Sequence, residues 1–233
     1  MRGADRTHIV VSDDDAVDSV LAAAAPGFGS GALVVDHTTT STAGARERTA
    51  KWRKRGVVYQ HAPVFMAPQN AADSTGVMLI SGDRAVVARM SPLLAPMTGK
   101  LVDLGERVDA AAAFKLLGNL FLMSMTAGFR DMLALGKAMK LSPAEIGTSF
   151  DHFNPGTAIP ARFKRVTDAD YGHPSWELAM ARKDARLMLA ETEGSGVALS
   201  MLPAFAALMD RFMAEGEQHA DWTVVARDVV RPS

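Results

Sequence analysis

Apolar positions in the first half of the chain alternate between two spacings. Short β-rich runs recur at His8–Val11, Ala32–Asp36, Val57–Gln60, Val77–Ser81 and Leu101–Leu104. Helix-like stretches separate the first three. Asp13-Asp14-Asp15 precedes AVDSVLAAAA, which puts acids at a helix start, where the helix dipole favours them. Ala43–Arg55 follows, and Gly56 stands where a helix-ending C′ glycine belongs. A further helix, Arg84–Leu94, comes after Val77–Ser81. Strands alternating with helices of about 10–15 residues predict βαβ units and a mainly parallel sheet. The later runs leave room for an antiparallel edge strand.

The pattern changes after Gly105. Val108 to Met139 contains no Pro and keeps helical spacing throughout. Unbroken, that helix is about 45–50 Å long. Gly118, Gly128 and Gly136 either weaken it or mark close helix packing. Ser142-Pro143-Ala144-Glu145 reads as a capping box with Pro in the first helical position. Asn154–His173 reads as loop-rich. Helices are expected over Ser175–Glu193, Met201–Glu217 and Asp221–Asp228. The organisation is therefore an α/β domain over 1–106 and an all-helical domain over 107–233, entered through the long helix.

Composition narrows the chemistry. The chain has 233 residues, 48% apolar and 22% charged, which excludes a disordered or fibrous protein. It contains no Cys, so a disulfide scaffold, an iron–sulfur cluster, a thiolate zinc site and a cysteine nucleophile are excluded. The six His are scattered without an H-x-x-x-H pair, and no metal site is expected. A net charge of −1 argues against a broad nucleic-acid footprint. No basic-then-apolar signal peptide is present. The greasiest stretch, Ala110–Ala127, is interrupted by Lys115 and Asn119, so no membrane span is expected and the cytoplasm is the expected location.

Two features look functional and are set aside. Gly27–Ala32 matches G-x-G-x-x-A, but it follows a helix and precedes a strand, the reverse of what phosphate cradling needs. The basic run Arg46–Arg55 reads as a solvated outer helix face.

The segment Phe114-Lys115-Leu116-Leu117-Gly118-Asn119-Leu120-Phe121 carries more. Lys115 and Asn119 are i and i+4 and share a helix face among apolar residues. One reading lets Lys115 snorkel to solvent while Asn119 bonds across to another helix. The other is a lysine tuned by burial for proton transfer, with an amide to orient a substrate oxygen.

This segment resembles the lysine helix of the β-hydroxyacid dehydrogenases, the family of 3-hydroxyisobutyrate dehydrogenase, tartronate semialdehyde reductase and the 6-phosphogluconate dehydrogenases. Their pattern is K-x-x-N-N; here Gly118 replaces the first Asn and Asn119 is the second. Val34-Val35-Asp36-His37-Thr38-Thr39-Thr40-Ser41 resembles the family's D-x-S-T strand end. His61-Ala62-Pro63-Val64-Phe65-Met66-Ala67-Pro68 resembles its substrate loop D-A-P-V-S-G-G-P. Lys183-Asp184 resembles a K-D pair on a later helix, and the stretch from Gly216 through Asp221 resembles the closing helix. The resemblance spans nearly the whole chain.

It implies a Rossmann-like α/β domain followed by an all-α domain, with a long interdomain helix. It implies hydride transfer between NAD or NADP and a 3-hydroxy acid or its semialdehyde or keto form. Lys115 would be the general acid/base, and Asn119 would hold the substrate oxygen. Phe65, Met66 and Ala67 would line the substrate loop, while Thr39 and Lys183 would contact the cofactor. A homodimer through the helical domain is also implied. The glycine fingerprint would precede the first strand by about two βα units, on the order of 60 residues, so the α/β domain reads as N-terminally incomplete, with Met1–Asp5 leading into a middle strand.

Departures matter too. Phe65, Met66 and Ala67 stand where the family presents Ser and two glycines, so the acid-gripping hydroxyl is gone. A larger or more apolar substrate than tartronate semialdehyde is expected. Imine reductases share the architecture and usually lack the lysine; Lys115 argues against that assignment, while Phe65-Met66 argues for it. A catalytically silent dimeric scaffold is the reading outside the enzyme class.

Overall fold

The computed structural model describes residues 4–230; Met1–Gly3, part of the expected lead into the first strand, lie outside them. The chain divides into two compact units, Met1–Leu122 and Met123–Ser233.

In the first unit, β1 (Arg6–Ile9), β2 (Leu33–Asp36) and β3 (Val58–His61) form a parallel ladder in that order. Ile9 lies opposite Asp36, and Asp36 opposite His61, so the carboxyl ends of the strands are level. The first strand ends earlier than the apolar run suggests. Val10 and Val11 lie past it, because the Val11 N–H turns to the Thr38 hydroxyl (3.1 Å). A second three-stranded sheet comprises β4 (Val64–Phe65), β5 (Val77–Ile80) and β6 (Lys100–Asp103). Strands β5 and β6 are parallel, and β4 runs antiparallel to β5. The antiparallel strand is thus none of the later apolar runs. It is a two-residue piece of the expected substrate loop.

The intervening helices are α1 (Asp14–Ala24), α2 (Thr42–Arg53), α3 (Pro68–Ala72) and α4 (Arg84–Leu94). Asp13, Ser41 and Asp83 accept backbone N–H groups at the starts of α1, α2 and α4. Gly56 has φ +73°, the left-handed conformation that lets the chain turn from α2 into β3. Strand alternation divides the core. Val34 packs with Ile9, Val17, Leu21 and Trp52, while Leu33 and Val35 pack with Val87, Met90 and Leu94. Helices therefore cover both faces of β2, which is why all four of its residues are buried.

The basic run on α2 is the solvated face its charges suggest, with Arg48 as the exception. Arg48 is 2% exposed. Its Nε donates to the Tyr59 hydroxyl (3.0 Å), and its other nitrogens meet Asp14 and Asp18 on α1. A buried guanidinium is tolerable because these partners satisfy it.

Helix α5 (Ala110–Ala138) has 29 residues, and the division between the units falls inside it. Its first turn belongs to the first unit, where Ala110, Ala111 and Ala112 are buried.

The second unit holds the rest of α5, then α6 (Pro143–Gly147), α7 (Ser149–His152), α8 (Ile159–Asp168), α9 (Leu178–Thr192), α10 (Leu202–Ala214) and α11 (Arg227–Val230). The capping box at Ser142–Glu145 forms as expected. Asn154–His173 is more ordered than its prolines suggest. Pro160 falls in the first turn of α8, where a missing N–H costs nothing. Gly136 marks close packing, since a Cβ there would collide with the Ile146 side chain. Two carboxylates organise the chain. Asp131 accepts from Ser200 N (2.6 Å), Met201 N (2.8 Å) and Leu202 N (3.0 Å), holding the start of α10. Asp221 accepts from Ser175 N (2.8 Å) and from Arg165, so Ser175 ties to this carboxylate and does not begin a helix.

Candidate active site

Lys115 sits one turn into α5, and that turn is pinned. The Ala111 N–H donates to Ser81 Oγ (3.0 Å) at the end of β5, and Ser81 Oγ donates to the Val108 carbonyl (3.3 Å). Asp109 is buried and accepts from Arg107 Nε (2.6 Å) and from Arg46. The hydrogen bond from exposed Arg107 is the main reason its carboxyl is held down to about 2.

Lys115 is half-buried. Its Nζ donates to Asn119 Oδ1 (3.0 Å) and lies 4.2 Å from the centroid of the Phe65 ring. No carboxylate pairs with it among the described residues. Burial pushes its amine below the ordinary lysine value, with no ion pair to restore it.

Phe65 reaches that position because residue 118 has no side chain. A Cβ on Gly118 would stand 2.8 Å from Phe65 Cε1 and closer still to Cζ. The two departures from the family pattern, Phe for Ser in the loop and Gly for Asn on the helix, are therefore complementary. Met66 and Ala67 complete the loop. The Ala67 N–H donates to Asn70 Oδ1 (2.9 Å), so that amide is already taken.

The carboxyl ends of β1–β3 form the other part of the site. Asp36 is fully buried; it accepts the Thr38 N–H (2.9 Å) and the Tyr59 hydroxyl (2.5 Å). Burial and this carboxylate push the Tyr59 hydroxyl well above its ordinary value. His37 Nδ1 donates to the Ala62 carbonyl (2.7 Å), which leaves Nε2 to accept from His8 Nδ1 (2.9 Å). Burial lowers both imidazoles. His61 Nε2 donates to the Thr38 carbonyl (2.9 Å), while its buried Nδ1 has no partner among the described residues. A cavity of about 20 Å³ lined by Gln60, His61, Ser81 and Val108 is large enough for one water.

This braced shelf presents Thr39, which is half-exposed and makes no hydrogen bond among the described residues, between buried Thr38 and Thr40. Val10, past the end of β1, is 74% exposed. Asp36, Tyr59, Arg48 and the histidine pair were not legible as a network. The one available signal was an Asp closing a strand before three threonines.

In the second unit, Lys183 lies on α9. Its side chain is 48% exposed and paired with Asp184 (2.8 Å).

An exposed apolar Val10 and a Thr39 hydroxyl without a partner among the described residues, at the carboxyl ends of parallel strands, suit an uncharged nicotinamide ring and its amide. The pyrophosphate has no cradle among the described residues. Asp13 and Asp83 occupy the starts of α1 and α4, and Gly27–Ala32 lies between a 3₁₀ turn and β2, as its order suggested.

A parallel sheet of this kind with a following lysine helix suits an NAD(P)-dependent oxidoreductase, and the class rests on similarity to known proteins. Residues 1–105 match the model of the NAD binding domain of 6-phosphogluconate dehydrogenase. The chain is 26% identical to a probable 3-hydroxyisobutyrate dehydrogenase of Mycobacterium tuberculosis, over 87% of this chain and 68% of that protein. It is 25% identical to an NAD-dependent L-serine dehydrogenase of Pseudomonas aeruginosa, over 90% of this chain and 71% of the relative. Among solved structures, an imine reductase from Myxococcus stipitatus in complex with NADP+ superposes with a TM-score of 0.85 at 20% identity, covering 94% of this chain and 81% of the other. These matches support the resemblance to the β-hydroxyacid dehydrogenase family.

Proposed function

We propose that this protein interconverts a hydroxyl and a carbonyl group on a 3-hydroxy acid or its semialdehyde or keto form, with Lys115 as general acid/base. The observation that carries this reading is the half-buried Lys115 amine, whose hydrogen-bond partner is a neutral amide. Bound nicotinamide supplies or receives the hydride. In the oxidative direction, the hydroxyl proton passes to neutral Lys115 Nζ as the carbonyl forms. In the reductive direction, the ammonium returns it to the oxygen. Asn119 orients Nζ and offers its amide N–H₂ to the same oxygen. The loop at Phe65, Met66 and Ala67 fixes the substrate's other end. Thr39 contacts the cofactor at the sheet edge, and Lys183 is a further cofactor contact.

Phe65 and Met66 favour one second reading, reduction of an apolar C=N bond. We also propose a cytoplasmic homodimer. Its support is the apolar surface of α5, where Phe114, Leu117, Leu120, Phe121 and Met123 are each more than half exposed. By length and composition α5 could also cross a membrane; a second copy covering this face accounts for the same surface without burying Lys115 in lipid.

The test is Lys115→Ala. Turnover of 3-hydroxyisobutyrate with NAD or NADP should fall by about 10²–10⁴, with an unchanged circular dichroism spectrum. Undiminished turnover would sink the assignment.

A further inference from the structure

We infer that Phe65 and Gly118 act as one specificity element that turns the substrate loop against a free carboxylate and toward a neutral, apolar substituent, such as an ester or an alkyl group. The inference rests on the Lys115 reading above and replaces its free acid with a neutral derivative.

Three observations carry it. The Phe65 ring occupies the space beside Lys115 that a side chain on residue 118 would deny it. A carboxylate placed at this loop would therefore meet the ring, and a negative charge against an aromatic face is unfavourable. The loop also has little to offer an anion. Residues 65–67 have no hydroxyl, and the Ala67 N–H is engaged by Asn70 Oδ1, itself held through Asn70 Nδ2 to Thr75 Oγ1 (3.1 Å). Finally, the nearby cation is not available. Lys115 Nζ is directed at Asn119 and the ring, and the reaction needs it at the substrate oxygen. Desolvating a carboxylate without two or three donors is costly, whereas an ester or alkyl group gains from the same surface.

A matched pair of substrates tests this on the full chain. Oxidation of methyl 3-hydroxyisobutyrate should exceed that of 3-hydroxyisobutyrate by about tenfold or more in kcat/KM. Unreactive analogues give an independent readout. By calorimetry in the presence of oxidised cofactor, methyl isobutyrate should bind about tenfold more tightly than isobutyrate. The double variant Phe65→Ser with Gly118→Asn should reverse both preferences. Equal or better use of the acid by the unaltered protein, or binding of neither analogue, would overturn the inference. If neither alcohol is oxidised, the Lys115 reading fails, while the calorimetric preference still decides this one.

Discussion

Two lysines, Lys115 on α5 and Lys183 on α9, both match motifs of the family, and their surroundings differ in nearly every respect. Lys115 is half-buried beside an aromatic ring and a neutral amide, and desolvation lowers its proton affinity. Lys183 is 48% exposed and paired with its neighbour Asp184. A motif match gives a residue's identity; the dielectric and the partners decide whether its charge is fixed or exchangeable. The first lysine is built to exchange a proton. The second is exposed and suits attraction of an anionic ligand.

The widest separation should come from substituting Arg at each position. Arginine keeps the charge but does not release its proton near neutral pH. Lys115→Arg should therefore lose oxidative turnover by about 10²-fold or more, whereas Lys183→Arg should keep most of it. Steady-state rates decide this, and comparable losses at both positions would erase the distinction. The pH profile sharpens it. Oxidation needs neutral Lys115, so its rate should rise with pH and level off at a midpoint below the ordinary lysine value of 10.5. Reduction needs the ammonium and should fall over the same interval. A rising limb for reduction there would contradict the assignment.

Gly118→Ala is the next step down. The added methyl must displace the Phe65 ring, and the Lys115 amine loses that neighbour. A cation over an aromatic face is worth about 0.5–2 kcal/mol, so kcat should drop by a few-fold to about thirtyfold. The extra helix propensity of Ala works toward higher stability, by up to about 1 kcal/mol. A variant that is both slower and no less stable would separate the glycine's role in the site from any role in folding.

The backbone was more legible than the site. Period-two and helical patterns located β1, β2, β3, β5, β6 and α5, because burial on one or two faces writes itself into the sequence. The two-residue β4 is too short to carry a period, and α8 was hidden by a proline that its first turn accepts. Lys115 and Asn119 could be paired from i,i+4 geometry alone. The fit of Phe65 against Gly118 could not, since it joins residues from a loop and a helix that are far apart in sequence. Each read singly as a lost polar anchor. Arg48 misled for a related reason. Its charge pointed outward until Tyr59, Asp14 and Asp18 were seen to surround it.

Lys183→Ala should have the smallest effect, and its signature is the most selective. The Lys183–Asp184 pair is exposed, and such pairs contribute about 0–1 kcal/mol, so unfolding in urea should shift by no more than that. The fold therefore remains intact, and any kinetic change reports on a ligand. If the ammonium attracts the anionic cofactor, its removal should raise the KM for NAD or NADP several-fold while leaving kcat near its original value. That increase should shrink as salt is added, because an exposed charge is screened over roughly 10 Å at 0.1 M. Lys115→Ala should show the opposite split, with kcat reduced and cofactor affinity retained. An unchanged cofactor KM at low salt would leave Lys183 as ordinary charged helix surface, and the difference between the two lysines would then be one of burial alone.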